Sequence, residues 1–297
     1  MLFNRGARIE FEGENIRDIE DLRIQFDVDK NDGETFNSGT IHVFNLNETT
    51  RKAAARTIPF GDELVKPIKV TLYVGYQNEL VQIISGTLLE SRNYRVGPDW
   101  ITEMVIKSGL EAAHKGFTQV SYATKTPAKK IAEDLLAPLN MDIKYTDDAN
   151  QALQNKFLTS FSASALAIDE IQSFLSRYNL EFTIEEHDQC LIYKKDSPRD
   201  QQTARNNLNT FKPTGGMIGT PQILRYGVVF RALLRPSIRI LQRIYVESVS
   251  INSSIQNNPS LAPEYYVKRI KHVGDTRSDD WFTEIEAAYT GLVEGNF

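Results

Sequence analysis

Asp99-Trp100-Ile101-Thr102-Glu103-Met104 and Asp280-Trp281-Phe282-Thr283-Glu284-Ile285 are two versions of one string, D-W-x-T-E, and they contain both tryptophans of the chain. They lie 181 positions apart. At that offset the preceding stretches Gly86–Arg92 and Val267–Val273 also align, each followed by a turn: Arg95-Val96-Gly97-Pro98 in one, Gly274-Asp275-Thr276-Arg277 in the other. Both read as strand, polar turn, strand. One reading is coincidence, because Trp and Thr suit a pleated strand and acids suit its turn. The other is duplication, with two sheet domains of common ancestry and each Trp covering the end of its barrel.

Working outward, Leu22, Ile24, Phe26 and Val28 alternate with Arg23, Gln25 and Asp27, and Ile68, Val70, Leu72 and Val74 alternate with Lys69, Thr71 and Tyr73. This is the period of half-buried strands. Thr40–Phe44, Leu80–Leu89 and Trp100–Lys107 add three more, with a short helix over Asn47–Arg56 capped by Asn47. Many short strands and few helices predict a tube-like β-barrel domain over residues 1–115.

The middle, residues 116–195, reads as a small α+β domain. Thr126 before Pro127 predicts a helix start and Pro138 its end. Ala167, Ile171, Phe174, Leu175 and Tyr178 form one apolar helical stripe, with Ser164 as cap and Asn179 as stop. A hairpin Leu180–Glu185 to Cys190–Lys194 follows. Residues 196–212 are polar and read as a linker or extended arm. A second β-barrel domain over 213–297 is predicted from Val228–Leu234, Ile238–Glu247, Tyr265–His272 and Trp281–Tyr289, with a long polar loop at Ser250–Glu264. The fold class is therefore mainly β with a smaller α+β part.

Composition excludes several classes. With 34 Lys+Arg against 39 Asp+Glu the net charge is −5, unsuited to gripping phosphate backbones over the whole surface. The single cysteine, Cys190, forms no intrachain disulfide and fits a reducing compartment. No apolar run approaches a spanning helix, and the start MLFNRGARIE lacks a signal-peptide core, so membrane insertion is not expected.

The common nucleophile, phosphate-loop and zinc motifs are absent. Gly215-Gly216-Met217-Ile218-Gly219, followed by Thr220 and Pro221, reads as a loop entering a strand rather than a dinucleotide fingerprint. His42, His114, His187 and His272 are scattered singly. Asp275, Asp279 and Asp280 could be imagined as calcium ligands, or as carboxylates for hydrolysis with Glu284, but their spacing matches no loop motif and acids in a hairpin turn are commonly solvated. Arg225, Arg231, Arg235, Arg239 and Arg243 form a basic series without an intervening acid: a solvated strand face, or a surface for an acidic partner or neighbouring subunit. The candidate structural and interface residues are Trp100, Trp281, Asp275, Arg277, Asp280, Arg231, Arg235 and Arg239, with no catalytic, cofactor or metal residue.

Thr214–Pro221, Gly227–Phe230, Leu233–Arg239 and His272–Arg277 with Trp281 resemble the C-terminal part of baseplate hub proteins of contractile-tailed bacteriophages. Ile24–Val28 and Ile41–Asn47 resemble the N-terminal part. A glycine that usually follows Pro-x-hydrophobic-Arg in that family is replaced here by Ile240, Leu241 and Gln242. The resemblance implies a homotrimeric, pseudo-sixfold ring joining the tail tube protein to the central cell-puncturing spike, with baseplate wedge and tape-measure proteins as neighbours. It implies DNA passing through the lumen without specific binding, no cofactor and no catalysis, in a virion assembled in the host cytoplasm. A cell-wall hydrolase of the tail tip and a hub of a non-phage contractile injection machine are the alternatives.

Overall fold

Ile24, Phe26 and Val28 are buried while Gln25, Asp27 and Asn31 turn outward, and the same alternation in Trp281–Tyr289 buries Trp281, Thr283, Ile285, Ala287 and Tyr289. Such strands bury one face and leave the other to water. The structure is a computed structural model that describes residues 4–12, 18–33, 36–54, 68–76, 79–110, 116–155, 159–185, 189–200, 204, 207–252 and 263–290.

The first β unit contains β1 (Arg5–Glu12), β2 (Ile24–Asn31), β3 (Ser38–Phe44), α1 (Glu48–Ala54), β4 (Lys69–Tyr76), β5 (Glu79–Val96) and β6 (Asp99–Lys107). The middle holds β7 (Phe117–Tyr122), α2 (Ala128–Leu136), β8 (Asp142–Tyr145), α3 (Asp147–Ala152), β9 (Phe161–Leu166), α4 (Ala167–Ser176), β10 (Leu180–Ile184) and β11 (Gln189–Lys194). The second β unit has β12 (Asn209–Phe211), β13 (Met217–Leu224), β14 (Gly227–Leu233), β15 (Arg243–Val246), β16 (Glu264–Asp275) and β17 (Trp281–Tyr289). The fold is mainly β with a small helical part.

The strand order of the first unit is β1-β4-β5-β6-β3-β2, and that of the second is β12-β15-β16-β17-β14-β13. Numbered within each unit, both read 1-4-5-6-3-2. One direction differs: β1 runs antiparallel to β4, whereas β12 runs parallel to β15. The units meet where β2 pairs antiparallel with β16, so one twelve-stranded sheet runs through both. Three cores lie beneath. One fills the first unit and takes in Leu234 and Trp281 from the second; another fills the second unit and takes in Leu191 and Tyr193 from the middle; the third surrounds α2 and α4.

Several local expectations change. Asn47 caps α1, its Oδ1 accepting from Thr50 N–H at 2.8 Å. Thr126 does not cap α2; its hydroxyl donates to Ala123 C=O instead. Ser164 lies inside β9, and α4 starts after Leu166 without a side-chain cap. Asn179 does end the helical stripe, at φ 54°. Of Ile238–Glu247 only Arg243–Val246 is strand: Ile238, Ile240 and Leu241 are buried outside any strand, with Leu241 at φ 62° in a turn, so their alternation plugs the core without building an edge. Pro221 sits within β13, at an irregularity between Ile218 and Gln222 where no ladder N–H is required. His114, His187, and residues 253–262 of the expected loop lie outside the described residues.

Candidate assembly surface

The β5–β6 hairpin pairs Arg95 with Trp100, Asn93 with Thr102 and Arg92 with Glu103; the β16–β17 hairpin pairs Gly274 with Trp281, His272 with Thr283 and Lys271 with Glu284. The tryptophans therefore occupy equivalent places. The second strands align at an offset of 181, but the first strands align at 179, because two residues separate Val96 from Asp99 whereas four separate the paired Asp275 and Asp280. The alignment of Gly86–Arg92 with Val267–Val273 is corrected accordingly. A bulge falls at the same place in both hairpins, between Leu88 and Glu90 and between Val267 and Arg269. Bulges at matching positions are built features of a strand, not accidents of its edge.

The repeated threonine makes the same cross-strand hydrogen bond twice. Thr102 Oγ1 donates to Asn93 Oδ1 at 2.7 Å, and Thr283 Oγ1 lies 2.9 Å from His272 Nδ1. Thr283 Oγ1 also accepts from Arg235 N–H at 2.9 Å, and it holds the buried His272 ring through Nδ1 alone, since Nε2 has no hydrogen-bond partner among the described residues. Trp100 C=O accepts from Asn45 N–H, and Trp281 C=O from Leu234 N–H.

The two indoles nevertheless differ in surroundings. Trp281 is 2% exposed and Trp100 is 38% exposed. Phe26 on β2 packs edge-on against Trp281, Tyr76 flanks it at 6.4 Å, and the Arg5 guanidinium lies 5.6 Å from its ring centre. Gly274 leaves the room, since a Cβ there would come within 2.3 Å of Phe26. Over the face of Trp100 lies the Arg51 guanidinium, at 4.0 Å.

Asp275, in the turn beside Trp281, is buried and held by Arg23 through Nη2 at 2.6 Å and Nε at 3.1 Å, with Arg277 N–H donating at 2.9 Å. Burial by itself would raise this carboxyl; the Arg23 hydrogen bonds, the Arg277 N–H and the Arg23 and Arg5 charges outweigh it and hold the pKa below the usual carboxylate range. Asp275 is thus a tie between the units. Asp280 and the Arg277 side chain are exposed in the same turn, and Asp279 C=O accepts from Arg5. Among the described residues no group of three or more His, Cys, Asp or Glu could hold a metal ion, and no helix is long and apolar enough to cross a membrane.

The water-facing side of the sheet carries cross-strand charge pairs. Arg269 and Asp29 pair across β16 and β2, Lys271 Nζ lies 2.9 Å from Asp27, and Glu103 binds Arg92 at 2.6 Å and His42 at 3.2 Å. Arg231 belongs to this ladder, 2.8 Å from Glu284. His42 and Arg231 are equivalent partners of the two repeated glutamates. The arginine series is not one strand face: Arg225 lies in a turn over Tyr226, Arg235 reaches Gly215 C=O, Arg239 lies in the turn before β15, and Arg243 binds Glu264. The sequence reading placed Arg23 and Phe26 on a strand without giving them a role here, and it did not name Asn93 or Tyr76. Only the repeated Thr and Glu signalled that partners should exist across the strand.

A family model for the baseplate hub gp41 matches residues 7–287, nearly the whole chain. The chain belongs to the baseplate hub gp41 family. This hub is a structural component of the phage tail baseplate, and so of the virion. Solved structures share its fold. The 43 kDa tail protein of prophage MuSo2 from Shewanella oneidensis is 6% identical with a TM-score of 0.62, covering 96% of the hub and 98% of that chain. The E. coli c3393 protein, described as a type VI secretion component similar to bacteriophage T4 tail proteins gp27 and gp5, is 8% identical with a TM-score of 0.58, covering 96% and 77%. A chain of the Francisella PdpA–VgrG complex is 9% identical with a TM-score of 0.60; it covers 99% of the hub, which spans 59% of that chain. No curated protein sequence matches.

Proposed function

We propose that the hub forms a homotrimeric ring at the tip of a contractile tail, between the tail tube and the central spike. The observation that carries this is the repeated 1-4-5-6-3-2 strand order with equivalent Trp hairpins. Three chains with two such units each offer six similar units around one axis, suited to a sixfold tube on one side and a threefold spike on the other. The middle segment, present once per chain, sets the threefold. The fold's likeness to the type VI component and to the PdpA–VgrG chain supports a spike neighbour; wedge and tape-measure proteins complete its surroundings. The charge-paired face lines the lumen. Cations already matched by Asp27, Asp29, Glu103 and Glu284 hold DNA weakly, because each unpaired cation would add salt-dependent affinity for phosphate.

The ring is non-catalytic, needs no cofactor and assembles in the host cytoplasm. The acids a hydrolase would use support this: Asp275 is locked by Arg23 and Glu284 by Arg231. Light scattering on the purified chain, alone and with its tube and spike neighbours, is expected to give particles of three chains that bind both. Particles of another number that ignore both neighbours would overturn the ring. Peptidoglycan fragments released by the chain and lost in Asp275→Asn would overturn the non-catalytic reading.

A further inference from the structure

The two units differ at one matching place. In the second, the β16 edge opposite β17 is filled twice: Glu264–Tyr266 pair with β15, and Arg269–Asp275 pair with β2. In the first, the corresponding β5 edge is filled by β4 over Glu79–Thr87 and extended by Leu88 N–H donating to Ile68 C=O. Beyond that, among the described residues, no strand pairs with Glu90–Val96 on this side. At the far end of the sheet β13, the counterpart of β2, pairs with β14 along one edge and, among the described residues, with no strand along the other. Among the described residues, an open acceptor edge and an open donor edge therefore sit toward opposite ends of one sheet.

Exposed apolar side chains mark the same two edges. Of ten large hydrophobic residues exposed among those described, Tyr94, Val96 and Trp100 lie at the tip of β5–β6, and Ile218, Ile223, Leu224 and Tyr226 lie on β13 and its turn. Long apolar strand edges left open promote unwanted pairing, so seven of ten on two open edges points to edges that are covered in use.

We propose that β13 of one copy adds to the Glu90–Val96 edge of β5 in a second copy, in the antiparallel register that β2 takes on β16. This rests on the ring reading and specifies its seam. The register follows from equivalences within the chain. Asp27 faces Val273 and pairs with Thr40 on β3, while Gln222 pairs with Val229 at the matching place on β14. Gln222 therefore faces Tyr94 of the next copy, Ile223 faces Asn93 and Ile218 faces Val96. Pro221, the buried residue between them, takes the place of Phe26 and covers Trp100 as Phe26 covers Trp281. The contact is head-to-tail, which closes into a ring when the rotation allows.

The test is disulfide trapping. Residues directly opposite in an antiparallel pair have Cα atoms about 4.5–5.5 Å apart, within disulfide reach. The native Cys190 is fully buried, with its thiol pKa pushed up to about 12 by burial, and stays silent. A mixture of Gln222→Cys and Tyr94→Cys chains, both changed at exposed positions, should give a covalent dimer that neither gives alone. The double variant should give a closed covalent ring. Gln222→Cys with Arg92→Cys or Val96→Cys, shifted by two residues, should cross-link at least tenfold less. Acrylamide quenching of Trp100 should also fall on assembly. If the unmodified chain forms rings by light scattering but the matched pair does not cross-link above the shifted pairs, the seam is wrong and the ring stands. If the chain stays monomeric with its neighbours present and no pair cross-links, both fail.

Discussion

Phe26 and Trp281 meet edge to face, ring centroids 5.4 Å apart and planes inclined by 75°, and this contact joins the first β unit to the second. An edge-to-face pair adds about 0.5–1.5 kcal/mol beyond the area it buries. Both residues sit in the core of the first unit, so the second unit is fastened by a side chain that packs in its neighbour.

Trp281→Ala should therefore cost about 3–5 kcal/mol, the range for truncating a buried aromatic residue. Trp100→Ala, measured at dilutions where chains are separate, should stay within about 0.5 kcal/mol, as for a surface site. Urea denaturation of both variants checks the contrast; equal losses would show that the equivalent positions are equally buried.

Gly274→Ala should destabilise by about 1–3 kcal/mol, because the added methyl must displace the Phe26 ring or the Trp281 indole. The thermal midpoint should fall. Adding Phe26→Leu to Gly274→Ala should cost less than the sum of the two single changes, since both act on one space.

Removing the Arg23 guanidinium leaves the Asp275 carboxylate buried without its main partner. Arg23→Ala should cost about 1–3 kcal/mol at neutral pH, reduced by the water that reaches the exposed Arg23 guanidinium. Asp275 has a depressed folded pKa, so its contribution is present above the unfolded value near 3.9 and disappears as pH falls through the folded value. Stability measured from pH 5 to pH 2 should decline less steeply in Asp275→Asn than in the parent chain.

His272 behaves in the opposite sense. Burial, reinforced by the neighbouring Lys30 charge, drives its pKa well below the ordinary histidine value, so the folded chain keeps the ring neutral while the unfolded chain protonates near pH 6.5. Its presence lowers stability progressively below that pH, by at most about 1.4 kcal/mol per unit. His272→Asn installs the residue type the first unit uses at Asn93, able to accept from Thr283. It should flatten the decline between pH 6.5 and pH 5; an unchanged slope would mean that His272 does not titrate there.

Much of this architecture was legible locally. The alternation through Ile24, Phe26 and Val28 announces a strand with one buried face, and Asn47 announces the start of α1, because both signals are carried by residues within a few positions of each other. Helix starts at Thr126 and Ser164 misled, because a side-chain oxygen has several nearby backbone groups to choose from. Ile238–Leu241 misled for a related reason: an apolar alternation states that side chains are buried, not that the backbone is extended.

The sequence by itself determined the chemistry of the repeat. D-W-x-T-E twice, each after a strand and a polar turn, predicts two hairpins with an indole, a hydroxyl and a carboxylate in the same order along a strand. Only the tertiary structure decided which indole is buried. Trp281 is covered because β2 arrives from 238 to 250 residues away to lie on β16, whereas the matching edge of β5 meets no such strand among the described residues. Strand pairing between distant segments is set by which backbone edges are left open once the local hairpins have formed. Two nearly identical strings consequently acquired different surroundings: one became the joint between the β units, and the other was left facing outward.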